Sequence, residues 1–151
     1  SEEEARHEIR HGLQFCDILK VAEEELIFLT DGKTLEEGAR QIAKKYKTPL
    51  ILVTEGSQGS HALIHDYYVS APAFPVSVVD TTGAGDGFLG CFLASFLKSG
   101  KTLEQLSGED VYQMLRLANA SGALSVTRKG GMPSLVTTEE AQALLNQQPE
   151  S

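Results

Sequence analysis

Between an apolar run and a predicted helix lies Asp80-Thr81-Thr82-Gly83-Ala84-Gly85-Asp86, a stretch of small residues bounded by two carboxylates. Residues this small let a ligand come close to the backbone. Where such a stretch opens a helix, its unpaired N–H groups and the helix dipole attract an anion, and a phosphate is the obvious guest. Asp86 does not help to bind that anion, because like charges repel. It suits instead a base that takes the proton from an attacking hydroxyl, a common role for aspartate in phosphoryl transfer. A bare Gly-Ala-Gly is more often a plain turn with Asp86 near a helix start. The full run, set between strand and helix, points to chemistry.

Three other patterns invite a chemical reading. His7-Glu8-Ile9-Arg10-His11 matches H-E-x-x-H, which on a helix sets two imidazoles on one face for zinc with the glutamate as base. Its flanks are charged, no third ligand follows at a suitable spacing, and His61 and His65 fall in an expected hairpin. A solvated helix face is the simpler account, and a zinc hydrolase is a remote alternative. Gly32-Lys33-Thr34 mimics the end of a P-loop, but Ile27 occupies the place of the first glycine. Asn119-Ala120-Ser121 fits a glycosylation acceptor yet falls on a predicted helix, in a chain without a secretory leader.

These residues need elements to hold them. Glu2 to Gln14 carries Ile9 and Leu13 four apart and reads as a helix; Cys16 to Val21 reads as a strand running into the acidic Glu23-Glu24-Glu25. Thr34, with Glu37 three residues on, predicts a capped helix to about Tyr46. Leu50-Ile51-Leu52-Val53, after Pro49, predicts a strand buried on both faces at the centre of a sheet. Ala62 to Ile64 and Tyr67 to Val69 predict a hairpin, and Val76 to Val79 a further strand. After Gly85, Phe88, Leu89, Phe92, Leu93, Phe96 and Leu97 predict a helix apolar nearly all round and therefore buried, ending at Gly100. A second long helix is expected from about Gly108 to Val126, with Val111, Met114, Leu115 and Ala118 on one side, and a short one near Thr138. Strands alternating with helices make an α/β layer fold, whose ligands sit at the carboxyl ends of the strands. Attention then falls on Glu23 to Glu25, on Thr54-Glu55-Gly56, and on Asp80 onward.

Composition narrows the classes further. Thirteen Lys and Arg against 21 Asp and Glu give a net charge of −8, and the cationic pair Arg128-Lys129 is too small to serve as a basic face, so nucleic acid is an unsuitable partner. With 41% hydrophobic and 23% charged residues the chain is ordinary for a globular domain, and 151 residues predict a single domain spanning 1–151. There is no apolar run of membrane-spanning length, and the two cysteines, Cys16 and Cys91, are far apart. A reducing, cytoplasmic setting follows, with both thiols as small core residues.

The run at Asp80 to Asp86 with Gly87-Phe88 resembles the D-T-x-G-A-G-D-x-F signature of the ribokinase-like (PfkB) carbohydrate kinases. Asp17-Ile18-Leu19-Lys20 followed by Glu25 resembles that family's strand leading into its N-x-x-E element. Thr54-Glu55-Gly56-Ser57-Gln58-Gly59 resembles the T-x-G-x-x-G nucleotide turn, and Asn119 through Ser134 the closing ATP and cation segment. The approach Val76-Ser77-Val78-Val79-Asp80 is most similar to fructokinases. The resemblance implies a three-layer ribokinase-like fold, here its carboxy-terminal half with flanking helices, and transfer of the γ-phosphoryl of ATP to a primary sugar hydroxyl, fructose first.

By matched position it implies Asp86 as catalytic base and the backbone of Gly83, Ala84 and Gly85 as an anion hole. Thr54, Gly56 and Gly59 would line the nucleotide phosphates and ribose, with Asn119 near the adenine. Glu25 would organise magnesium and its waters; Asp80, Thr82, Ser125, Arg128, Gly130 and Ser134 would surround a potassium-type ion. Ala22 stands where the N-x-x-E element usually has Asn, and Cys91 where the signature prefers Ala or Gly. Family members are roughly twice this length, as enclosing two substrates requires. The expectation is therefore a nucleotide-binding, catalytic-base portion without the amino-terminal half that supplies sugar contacts and a lid, with a homodimer possible in the full-length enzyme. A non-catalytic nucleotide-binding fragment is the alternative, because catalysis needs the acceptor hydroxyl held in line near Asp86.

Overall fold

The computed structural model describes residues 2–4, 17–31, 33–74, 84–125, 142–143 and 146, with the backbone alone at 84–86 and 125. Two compact units divide the chain, residues 1–55 with 61–69, and residues 56–60 with 70–151. A four-stranded sheet runs in the order β1 (Ile18–Ala22), β2 (Leu50–Thr54), β3 (Ser60–Ile64), β4 (Tyr67–Ala71). β1 and β2 are parallel, Ile18 opposite Leu50 through Ala22 opposite Thr54, while β3 and β4 form a hairpin, so the sheet is mixed. The expected α/β class is what the chain adopts.

Two helices, α1 (Glu23–Thr30) and α2 (Leu35–Tyr46), make the crossover from β1 to β2. α1 was not anticipated by the apolar period. Three glutamates occupy its first turn, where negative charge suits the helix dipole, and Thr30 closes it by donating from Oγ1 to Leu26 O at 2.7 Å. α2 begins as expected, with Thr34 Oγ1 accepting from the Glu37 N–H at 3.2 Å. The helices approach closely at Gly38, where a Cβ would lie 3.0 Å from Thr30 Oγ1. Leu26, Leu29, Ala39 and Ile42 pack with Val21, Ile51, Val53 and Leu63 into one core. Leu50 and Leu52, on the opposite face of β2, are also 0% exposed, so the strand is buried on both faces as its composition demands. The β3–β4 turn sets His65 and Asp66 at φ of 49° and 70°, the doubly positive geometry of a two-residue hairpin.

In the second unit α3 (Ala84–Ser99) lies against α4 (Gly108–Ser125). Phe88, Cys91 and Phe92 of α3 are buried, as are Val111, Met114, Leu115 and Ala118 of α4. Cys91 donates to Leu117 O at 3.7 Å, and burial pushes its thiol up from the ordinary value. α4 is capped reciprocally: Ser107 Oγ accepts from the Asp110 N–H, and Asp110 Oδ2 accepts from the Ser107 N–H, each at 3.0 Å. The expectation that α3 is buried nearly all round is corrected on one side, since Leu97 is 77% exposed. The expected helix over 2–14 lies outside the described residues beyond the helical residues 2–4, as do Cys16, the strand at 76–79 and most of the helix near Thr138.

Candidate active site

The first part of the candidate site is the turn that follows β2. Thr54 ends that strand half-buried, Glu55 follows, and Gly56–Gln58 make one 3₁₀ turn closed by the Gly59 N–H donating to Gly56 O at 3.2 Å. Both glycines sit at positive φ, 53° for Gly56 and 111° for Gly59. Gly59 is constrained twice over, since a Cβ there would lie 2.2 Å from Ala71 O and 2.9 Å from Ala73 N. The chain thus needs glycine for close backbone approach as well as for conformation.

Flanking that turn, Glu55 Oε2 and His61 Nε2 meet at 2.6 Å with both side chains largely buried. The His61 ring stacks on Tyr68, centroids 5.4 Å apart and planes 15° from parallel. The Tyr68 hydroxyl is pushed up to about 12, first by burial and then by the charges of Glu36 and Glu55. Sequence reasoning did not single out the Glu55–His61 pair. Its signal was present: an acid inside a glycine turn and a histidine at the start of the next apolar strand.

The second part is the amino-terminal end of α3. Ala84 is the first helical residue, and Gly85 and Asp86 follow in the first turn. Ser121 of α4, buried, donates from Oγ to Gly87 O at 3.3 Å and so ties that turn to the neighbouring helix. Asn119, one turn earlier in α4 than Ala123, is buried and donates from Nδ2 to both Ala71 O at 3.2 Å and Pro72 O at 3.0 Å. Two carbonyls on one side fix which way the carboxamide faces. The same segment, 71–73, packs against Gly59, so two of the anticipated nucleotide residues, Gly59 and Asn119, converge on it. Next to it, Arg116 lies over the Phe74 ring at 5.9 Å. The buried position of Asn119 agrees with discounting it as a glycosylation acceptor.

Glu25 stands in the first turn of α1, its Oε2 accepting from the Ala22 N–H at 2.8 Å. That bond orients an exposed carboxylate at the carboxyl end of β1. An oxygen donor suits a hard cation, and one carboxylate suits magnesium that keeps its waters. Among the described residues no three or more His, Cys, Asp or Glu side chains are grouped to hold a metal directly. Ser125 ends α4. Asp80, Thr82, Gly83, Arg128, Gly130 and Ser134 lie outside the described residues, as do His7 and His11.

A model of the pfkB family of carbohydrate kinases matches residues 1–138. The chain belongs to that family. This pfkB family member is 39% identical over 150 residues to a protein of Arabidopsis thaliana provisionally named fructokinase-8, covering 99% of this chain and 70% of that one. It is 38% identical over 145 residues to fructokinase-1 of Zea mays, covering 96% of this chain and 44% of that one. Among solved structures, a double mutant of Vibrio cholerae fructokinase in its fructose, ADP and potassium ion bound form superposes with a TM-score of 0.82 at 30% identity. That match covers 93% of this chain and 44% of the other. The fold is accordingly ribokinase-like and partial. The pfkB chain spans less than half the length of the maize and Vibrio relatives.

Proposed function

We propose that the protein carrying this chain is an ATP-dependent sugar kinase that transfers the γ-phosphoryl group of ATP to a primary hydroxyl, with fructose as its substrate. The observation that carries the reading is the run Asp80 to Asp86 at a helix that begins at Ala84. In this reading the backbone N–H groups of Gly83, Ala84 and Gly85 receive the oxygens of the phosphoryl group as negative charge grows on them. Asp86 accepts the proton of the sugar hydroxyl, the freed oxygen forms the new O–P bond, and the bond from phosphorus to the departing ADP oxygen breaks. Thr54, Gly56 and Gly59 cradle the nucleotide phosphates and ribose. Asn119, with Nδ2 engaged by two carbonyls, turns Oδ1 as an acceptor toward the adenine.

Magnesium, when bound, spreads the charge of the phosphates, and Glu25 holds it through water. Asp80, Thr82, Ser125, Arg128, Gly130 and Ser134 form the surroundings of a potassium-type ion, several through carbonyl oxygens. The fructose, ADP and potassium ion bound to the Vibrio relative support a sugar, an adenine nucleotide and a potassium-type ion as ligands. Residues 1–151 are read as one nucleotide-binding, catalytic-base portion that needs further chain to hold the sugar in line, in an enzyme that forms a homodimer. The enzyme is placed in the cytoplasm in this reading, and no helix among the described residues is long and apolar enough to cross a membrane.

The test is Asp86→Asn in the full-length enzyme. Turnover is expected to fall by about 10²–10⁴-fold, the usual worth of a positioned base, with Mg-ATP affinity unchanged by calorimetry. Equal loss of turnover and ATP affinity would reject the base assignment.

A further inference from the structure

Glu55 presents a physical problem in the site proposed above. It lies directly before the turn, between Thr54 and Gly56, and a carboxylate beside nucleotide phosphates opposes their binding. The structure couples that carboxylate to a partner: Glu55 Oε2 and His61 Nε2 are 2.6 Å apart, with side chains only 24% and 17% exposed. Tyr68 backs the imidazole through a near-parallel stack, and α2 brings Glu36 toward the same tyrosine. The Glu55 carboxylate is thus held by a partner whose ring is itself fixed by the stack. The pair also spans the turn, joining residues six apart across the segment in which the Gly59 N–H donates to Gly56 O.

We infer that His61 is a positioning residue for the nucleotide: by engaging the Glu55 carboxylate it fixes where that repulsive group lies and pins the turn's two flanks together. The inference rests on the nucleotide role proposed for Thr54, Gly56 and Gly59. It assigns to His61 no contact with substrate, so its effect belongs to ATP binding and not to the sugar or the chemical step.

The experiment is steady-state kinetics of the full-length enzyme carrying His61→Leu, His61→Gln or Glu55→Gln, with melting temperatures measured alongside. His61→Leu is expected to raise KM for Mg-ATP about five- to tenfold, the effect of unpairing a charged hydrogen-bonded group, with kcat and the sugar KM unchanged. His61→Gln, which keeps a donor, is expected to restore most of the loss. Glu55→Gln, which removes the repulsive charge but weakens the bond, is expected to leave KM for Mg-ATP closer to the wild type than His61→Leu does. If His61→Leu does not fold, the Glu55→Gln, His61→Leu double variant replaces it: with no carboxylate left to hold in place, its ATP KM should lie within twofold of Glu55→Gln alone. An unchanged ATP KM in folded His61→Leu, or parallel changes in kcat, sugar KM and melting temperature, would overturn the inference while leaving the kinase reading intact. A wild-type enzyme with no ATP-dependent sugar phosphorylation would overturn both.

Discussion

Single residues in this chain are constrained by what surrounds them more than by their type, and the two glycines of the β2 turn show it. Gly56 and Gly59 both sit at positive φ, but only Gly59 has backbone atoms where a Cβ would go. Gly56→Ala should therefore cost about 1 kcal/mol, the ordinary penalty of a left-handed L-residue. Gly59→Ala adds a collision with Ala71 O and Ala73 N and should cost about 3 kcal/mol or more. Equilibrium urea denaturation of the two variants checks this, and equal costs would mean that the segment 71–73 yields readily. Because Asn119 donates to that same segment, its movement should also disturb the proposed adenine side of the site.

At the scale of elements, the sequence was legible where a local rule sufficed. Thr34 and Glu37 marked the start of α2 because a cap needs only neighbours in sequence. The run Leu50 to Val53 marked a central strand because four consecutive apolar residues leave no polar face. α1 was hidden because Leu26, Ile27, Phe28 and Leu29 are contiguous, giving no helical stripe to a segment of eight residues. It is held instead by Glu25 reaching back to Ala22 and by the close approach at Gly38. The cap of α4 carries a pH dependence of its own. Lys101, and after it the Ser107 N–H, hold the Asp110 carboxyl below its ordinary value. A group depressed in the folded state stabilises it above the unfolded pKa of 3.8 and loses that contribution as pH falls through the lower folded value. Asp110→Asn should thus flatten the loss of melting temperature below about pH 4. A wild-type acid limb retained by the variant would mean that other carboxylates govern it.

For the whole molecule, the glycine turn after Thr54 could be read from letters since it is contiguous, while residues 80–83 of the run Asp80 to Asp86 lie outside the described residues. Long-range partners could not: Asn119 donates to carbonyls 47 and 48 residues away, and the Glu55–His61 pair exists only because the intervening turn is tight. Leu97 misled for the same reason, because an apolar helix says nothing of which flank is covered. The sheet carries one more consequence that the letters only partly foretold. β1 is one of the two terminal strands among the described residues, paired on one side with β2. Among the described residues nothing pairs with its other side, whose N–H and C=O groups would be a template for a second strand, and Lys20 is the single charge within its five residues to discourage one. The maize relative, of which this chain covers 44%, has further chain with which to cover such an edge. The 151-residue chain by itself should therefore self-associate, with a weight-average sedimentation coefficient that rises with protein concentration. A strictly monomeric profile over the same concentrations would show that the edge is already protected within this chain.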